Sequence, residues 1–172
     1  WMTGGDQVAL LSLTHDILSG GHYANTPSSQ ADLSIATLQA SRTRMEKMQN
    51  ARGLRSAMQA KTLVIPVDSR WLADELWSDK MPYTPDNTSN TVKDGLSKVV
   101  WSRISHDDQW FLLADKAADV GMKGHLLRCI MRIRPEFDRD NVFLSGDRRY
   151  KGRFRVGFGY YDFRGIDGST GG

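Results

Sequence analysis

Cysteine is almost missing from this chain. Among 172 residues only Cys129 carries a thiol, so no internal disulfide forms and no thiolate metal site is built from it. Cys129 is expected to be a small buried hydrophobe on the apolar side of a strand. Histidine is scarce as well. His15, His22, His106 and His125 never fall at the spacing of a helical zinc pair, and polar loop or strand-end roles are expected for all four. No apolar run approaches the ~20 residues of a membrane helix, and no signal-peptide pattern opens the chain. There is no internal repeat. Gly157, Gly159 and Gly165 lack both the strand-to-helix context and the Gly-Lys-Ser/Thr element of a phosphate loop. Charge of one sign is not in large excess either. The net charge is +3, a weak pull toward polyanions. An initiating methionine is also missing: Trp1 comes first, so the chain is expected to be a piece of something longer.

These absences leave little room for catalysis. Ser12, His15 and Asp16 lie too close in one short segment to converge on a single atom as a triad does. Neither a metal nor a cofactor is expected, and the chain does not read as an enzyme. A composition of 40% hydrophobic and 25% charged residues is that of a folded protein, large enough for one domain or two small subdomains.

What the chain does carry is patterned. Ile35, Leu38, Met45 and Met48 recur on one helical face, with Ser29 or Asp32 to cap the start and Gly53 beyond the end. The apolar run from Lys61 to Val67, closed by Pro66, reads as a buried strand. Asp68 or Ser69 then opens a short helix with Leu72, Ala73 and Leu76 turned inward. Residues 78–94 are rich in Asn, Thr, Asp and Pro and read as an exposed loop. Lys98–Trp101 and Trp110–Leu113 are strand-like, with a polar turn between them. Two helices ahead of a strand-dominated second half give an α+β class.

The last third holds the most informative segments. Leu127, Cys129, Met131 and Ile133 alternate with Arg128, Arg132 and Arg134, the pattern of a half-buried strand. Glu136, Asp138 and Asp140 then alternate with Phe137 and Arg139. Acid–base work, a solvated strand and an interface patch all fit such a run, and the nearby arginines favour the interface. Finally Phe154, Val156, Phe158 and Tyr160 alternate with Arg153, Arg155, Gly157 and Gly159. Val156 to Phe163 matches six of eight positions of an RNA-recognition strand. Such a motif needs a further helix and strand, and only nine residues follow Phe163. The four apolar residues are instead expected to close a sheet, with the arginines facing outward. A nucleic-acid-binding module using the Arg-rich strands and the terminal aromatics stays as the alternative.

Taken in order, GDQVALLSLTH (Gly5–His15), ATLQASR (Ala36–Arg42), LVIP (Leu63–Pro66), WLADEL (Trp71–Leu76), WFLLAD (Trp110–Asp115), PEFDRDN (Pro135–Asn141) and YKGRFRVGFGYYDFRG (Tyr150–Gly165) carry a resemblance. The chain resembles the C-terminal part of a tailed-bacteriophage major capsid protein of the Mu-like major head subunit type. The resemblance implies the Hong-Kong-97-type capsid fold, with the N-terminal arm, extended loop and spine helix lying upstream of Trp1. It implies that residues 1–27 end a peripheral-domain segment, 28–134 form the axial domain, 135–160 return through the peripheral domain, and 161–172 form a tail. In that fold the strand before the tail is the last main element of the subunit, and the 78–94 loop suits a tip at the capsomer centre.

The implied role is a structural subunit of an icosahedral head, assembling as hexamers and pentamers around viral DNA, in the virion and in the host cytoplasm during assembly. Implied partners are copies of itself, with scaffold, portal or decoration proteins besides, non-specific contact with packaged DNA, and no membrane. Shell rings are made of heterologous joints where opposed charges recur. Arg132, Arg134, Glu136, Asp138, Arg139, Asp140, Arg148, Arg149, Arg153 and Arg155 are the candidate interface residues.

Overall fold

The computed structural model describes residues 6–17, 20–50, 52–56, 58–78, 90, 95–116 and 127–172. Most of the polar loop read at 78–94 lies outside them. The chain divides into two compact units: residues 1–126 together with 162–172, and residues 127–161.

The first unit opens with two short strands, β1 (His15–Asp16) and β2 (His22–Tyr23), paired antiparallel. Helix α1 (Ile35–Glu46) follows. Its cap is Ser34, five residues after one sequence candidate, Ser29, and two after the other, Asp32. Ser34 Oγ accepts from the Thr37 N–H at 3.2 Å, and Thr37 Oγ1 accepts from the Ser34 N–H at 2.8 Å. Two of the orphan donors of the first turn are thereby satisfied. The helix buries Leu38, Ser41 and Met45, with Met48 buried just beyond its end.

Strand β3 (Gln59–Ile65) runs through the core as the apolar run predicts, with Leu63 and Ile65 fully buried. Helix α2 (Arg70–Leu76) buries Ala73 and Leu76, whereas Leu72, expected inside, is exposed. The short helix has room for one inward stripe, and residues 73 and 76 fill it. Asn90 ties down the chain after α2, its Nδ2 donating to the Leu76 carbonyl at 2.6 Å.

Strands β4 (Ser97–Val100), β5 (Trp110–Lys116) and β8 (Ile166–Ser169) complete a four-stranded sheet in the order β4-β3-β5-β8. The β3–β4 pair is parallel and the rest antiparallel. A parallel neighbour needs a crossover, and α2 supplies it. Trp110, Leu112 and Ile166 join the methionines and leucines of α1 and β3 as the fully buried centre. Each such side chain contributes roughly 1.5–3 kcal/mol. Gly168 has no room for a side chain: a Cβ there would stand 2.5 Å from the Trp110 carbonyl.

Arg44 locks α1 to β8. Its Nε donates to Asp167 Oδ2 at 2.6 Å and its Nη2 to Asp167 Oδ1 at 2.7 Å, a two-pronged ion pair whose carboxylate is fully buried. Nη2 also reaches Ser41 Oγ at 3.0 Å. The Tyr23 hydroxyl donates to the Arg44 carbonyl at 2.5 Å. Burial, with the Asp167 charge added, pushes the Tyr23 phenol up to about 12. Burial also pushes the Asp167 carboxyl up, further than Arg44 pulls it down.

The second unit is a single long hairpin: β6 (Leu127–Asn141) paired antiparallel with β7 (Arg148–Tyr160), joined by a turn at 142–147. Fifteen residues at ~3.3 Å each make a ribbon of about 50 Å. Here the sequence expectation is corrected. Phe154 and Phe158 were expected in a core, yet each is 70% exposed. Cys129 and most of the half-buried strand read at 127–134 are exposed too. The alternation itself is present. What is missing is a second layer, because a two-stranded ribbon has two faces and no interior.

Candidate assembly interface

Which side chains share a face of the ribbon follows from the pairing. Residues directly opposite one another in an antiparallel ladder point to the same side. Toward the tip, Glu136 faces Arg153, Asp138 faces Lys151, and Asp140 faces Arg149. Three acid–base pairs therefore stand in a row on one face. The Arg153 Nε donates to Glu136 Oε2 at 2.9 Å. Exposed as these pairs are, each contributes about 0.2–1 kcal/mol and chiefly fixes register.

On the opposite face the same register sets Phe137 against Gly152 and Arg139 against Tyr150. The Phe137 ring lies over Gly152, where an added Cβ would stand 3.3 Å from it. Two register shifts between Met131 and Glu136 put two extra residues into β6. Two bulges restore the parity, so the apolar side near the base stays on the apolar side near the tip. Leu127 against Tyr160, Cys129 against Phe158, and Met131 against Val156 continue that side. Because β7 alternates without interruption, Phe154 lies on it as well. At the tip, Phe143 and Leu144 are almost fully exposed.

The candidate residues divide accordingly. Glu136, Asp138, Asp140, Arg149 and Arg153 form the charged ladder. Arg139 and Arg148 flank the aromatic face near the tip, Arg148 opposite Asn141. Arg155 sits opposite Ile133, and Arg132 and Arg134 fall in the bulged stretch. All ten are exposed.

Two constellations of the first unit were not foreseen as such. His15 stands at the first position of β1, a strand end as expected, and is fully buried there. Its Nδ1 donates to Asp6 Oδ2 at 2.7 Å, its Nε2 stands 3.3 Å from the Leu10 carbonyl, and its ring stacks on Phe163 at 3.9 Å. Burial alone would raise the Asp6 carboxyl. The His15 hydrogen bond and the Val8 N–H outweigh it and hold the group below its ordinary value. Beside it, Arg164 caps the other aromatic surface, its guanidinium 4.9 Å from the Phe163 centroid, with Nε bound to the Gln49 carbonyl and Nη1 to Asp162. These groups are saturated by one another and tie the two ends of the first unit together. No spacing rule points to His15, because its partner Asp6 lies across a loop.

Among the described residues, no three of His, Cys, Asp and Glu gather closely enough to hold a metal ion, and no helix is long and apolar enough to cross a membrane. No curated protein matches the chain. The model of a family described as phage capsid protein matches residues 3–166.

Proposed function

The chain belongs to the phage capsid protein family, and from that premise we propose that it is a structural subunit of an icosahedral phage head. The family match across residues 3–166 carries the reading. The mixed α+β architecture, with mostly strands and few helices, fits a capsid-like domain. The subunit is built on the Hong-Kong-97-type fold of the Mu-like head proteins and assembles with its own copies into hexamers and pentamers that enclose DNA. It works in the virion, binds as a structural part and catalyses nothing. Scaffold, portal or decoration proteins are its further partners.

The ribbon supports self-association on physical grounds. An isolated two-stranded hairpin is marginal in water, and this one leaves a row of aromatic rings exposed. Such a surface belongs against another protein. The nucleic-acid alternative is weaker on the same ribbon. Arg149, Lys151 and Arg153 face carboxylates across the strands, which offsets part of the charge that phosphate binding needs. Electron microscopy of the full-length protein, expressed alone and with its scaffold, tests the proposal. Shells or capsomers are expected, and a product that stays monomeric under every assembly condition overturns it.

A further inference from the structure

We infer that the aromatic face of the ribbon is a self-complementary interface, packing against the same face of a second copy of this chain. The inference rests on the capsid reading and names the surface through which two subunits meet. It also separates the two faces that the candidate residues straddle. The charged ladder sets acid opposite base across its own strands, with Arg153 bound to Glu136. The other face presents Phe137, Tyr150, Phe154 and Phe158, each at least 70% exposed.

Area decides for a second copy. Phe137 is 87% exposed, Tyr150 75%, and Phe154 and Phe158 70% each. At 150–250 Å² per aromatic side chain, these four rings alone offer about 600 Å². Met131 and Leu127 extend the strip toward the base. A standard stable interface takes about 800 Å² from each partner. Two copies of this one face, laid together, supply close to the whole of it. A heterologous partner surface must offer a matching apolar area. Among the described residues outside the ribbon, the large exposed apolar side chains come from four separate segments, at 13, 54, 67–72 and 99–101. In area, a second copy of the ribbon face matches the first. Stacked strand faces about 10 Å apart, with interleaved side chains, are the ordinary geometry for such a pair. An interface of this kind is isologous and joins subunits about a two-fold axis.

The test compares this chain with its Phe154→Ser/Phe158→Ser double variant by sedimentation velocity, with far-ultraviolet circular dichroism as a folding check. The parent chain is expected to self-associate, and the variant at least tenfold more weakly with an unchanged spectrum. In a second arm Cys129 is replaced by Ser and single cysteines are placed in turn at Phe137, Tyr150, Phe154 and Phe158. Oxidation is expected to join at least one of these positions to itself in the other copy. This arm decides even where the double variant loses its fold. A parent chain that is monomeric, and remains so in full-length capsid preparations, overturns both the capsid reading and this inference. A parent that assembles while the double variant assembles equally well overturns the inference alone and assigns the face to another occupant. Where two unlike positions cross-link, a chain carrying both cysteines that oxidises into open-ended oligomers instead of closed dimers overturns the two-fold arrangement.

Discussion

Replacing Arg44 by Met should be among the most damaging single changes in the first unit. The substitution keeps an apolar, unbranched stem as far as the position of Nε. It removes both donors from Asp167, whose carboxylate is fully buried, and leaves it the Ser41 hydroxyl. Breaking one side of a buried ion pair costs about 3–5 kcal/mol, because the remaining charge has lost its partner and cannot reach water. For a unit of this size each kcal/mol moves the melting point by about 2–4 °C, so a fall of roughly 6–20 °C is expected. The Tyr23 bond survives, since it is made to the backbone carbonyl of residue 44. Removing both charges tells more than removing one. Arg44→Met/Asp167→Leu leaves no orphan, and its stability should return to near the parent level, because apolar replacements of buried pairs are often neutral or better. Thermal and urea unfolding of the two single variants and the double form a complete cycle. A cost below about 1 kcal/mol for Arg44→Met, or a double variant as unstable as the worse single, refutes the reasoning.

Other outcomes follow from burial and close approach. Phe163→Ala should cost about 3–5 kcal/mol in thermal unfolding, since its ring is buried against His15. Phe154→Ala, at an exposed ring, should change chain stability by less than about 1 kcal/mol; equal costs at the two positions would show that the ribbon face is covered within the chain. Gly168→Ala forces a Cβ to within 2.5 Å of the Trp110 carbonyl. It should destabilise by about 1–3 kcal/mol or more, and an unchanged urea midpoint would show that β8 does not lie as close to β5 as described. Tyr23 should ionise late, near pH 12. Its folded pKa stands above the unfolded value near 10, so its stabilising contribution is complete below pH ~10 and is lost as pH rises toward 12. Phenolate absorbance should show one of the five tyrosines still protonated well above pH 10, and an ionisation of Tyr23 near pH 10 would contradict the buried site.

Much of the first unit was legible because it obeys local rules. The three- and seven-residue spacing of Ile35, Leu38, Met45 and Met48 located α1, and a continuous apolar run located β3. The helix cap was misplaced for a definite reason: its box is closed by Thr37 rather than by Glu or Gln, and nothing in propensity singles out Ser34 over Ser29. Arg44 and Asp167 stand 123 positions apart, and no pattern in either segment announces the other. The ribbon shows a different limit. Alternation along β7 correctly sorted rings from arginines onto two sides. It carried no information on what covers the apolar side, since strand periodicity records that a face is apolar and never whose surface it meets. The two bulges in β6 were equally silent, and either one without the other would put the rings of Phe137 and Phe158 on opposite sides.

The route of the chain through the sheet has a consequence in time. Strands β5 and β8 are hydrogen-bonded neighbours, yet about fifty residues, including the entire hairpin, are made between them. At 5–20 residues per second the ribosome needs roughly 3–10 seconds to cross that interval. Until Asp167 emerges, Arg44 lacks this counter-ion and β5 keeps an open edge, and the hairpin with its rings is made within that interval. A nascent chain thus passes through a window in which its stickiest surface precedes the closure of its own sheet. Crowded polysomes translating such a protein would favour early encounters between hairpins, and chaperones that shield aromatic surfaces would act in those seconds.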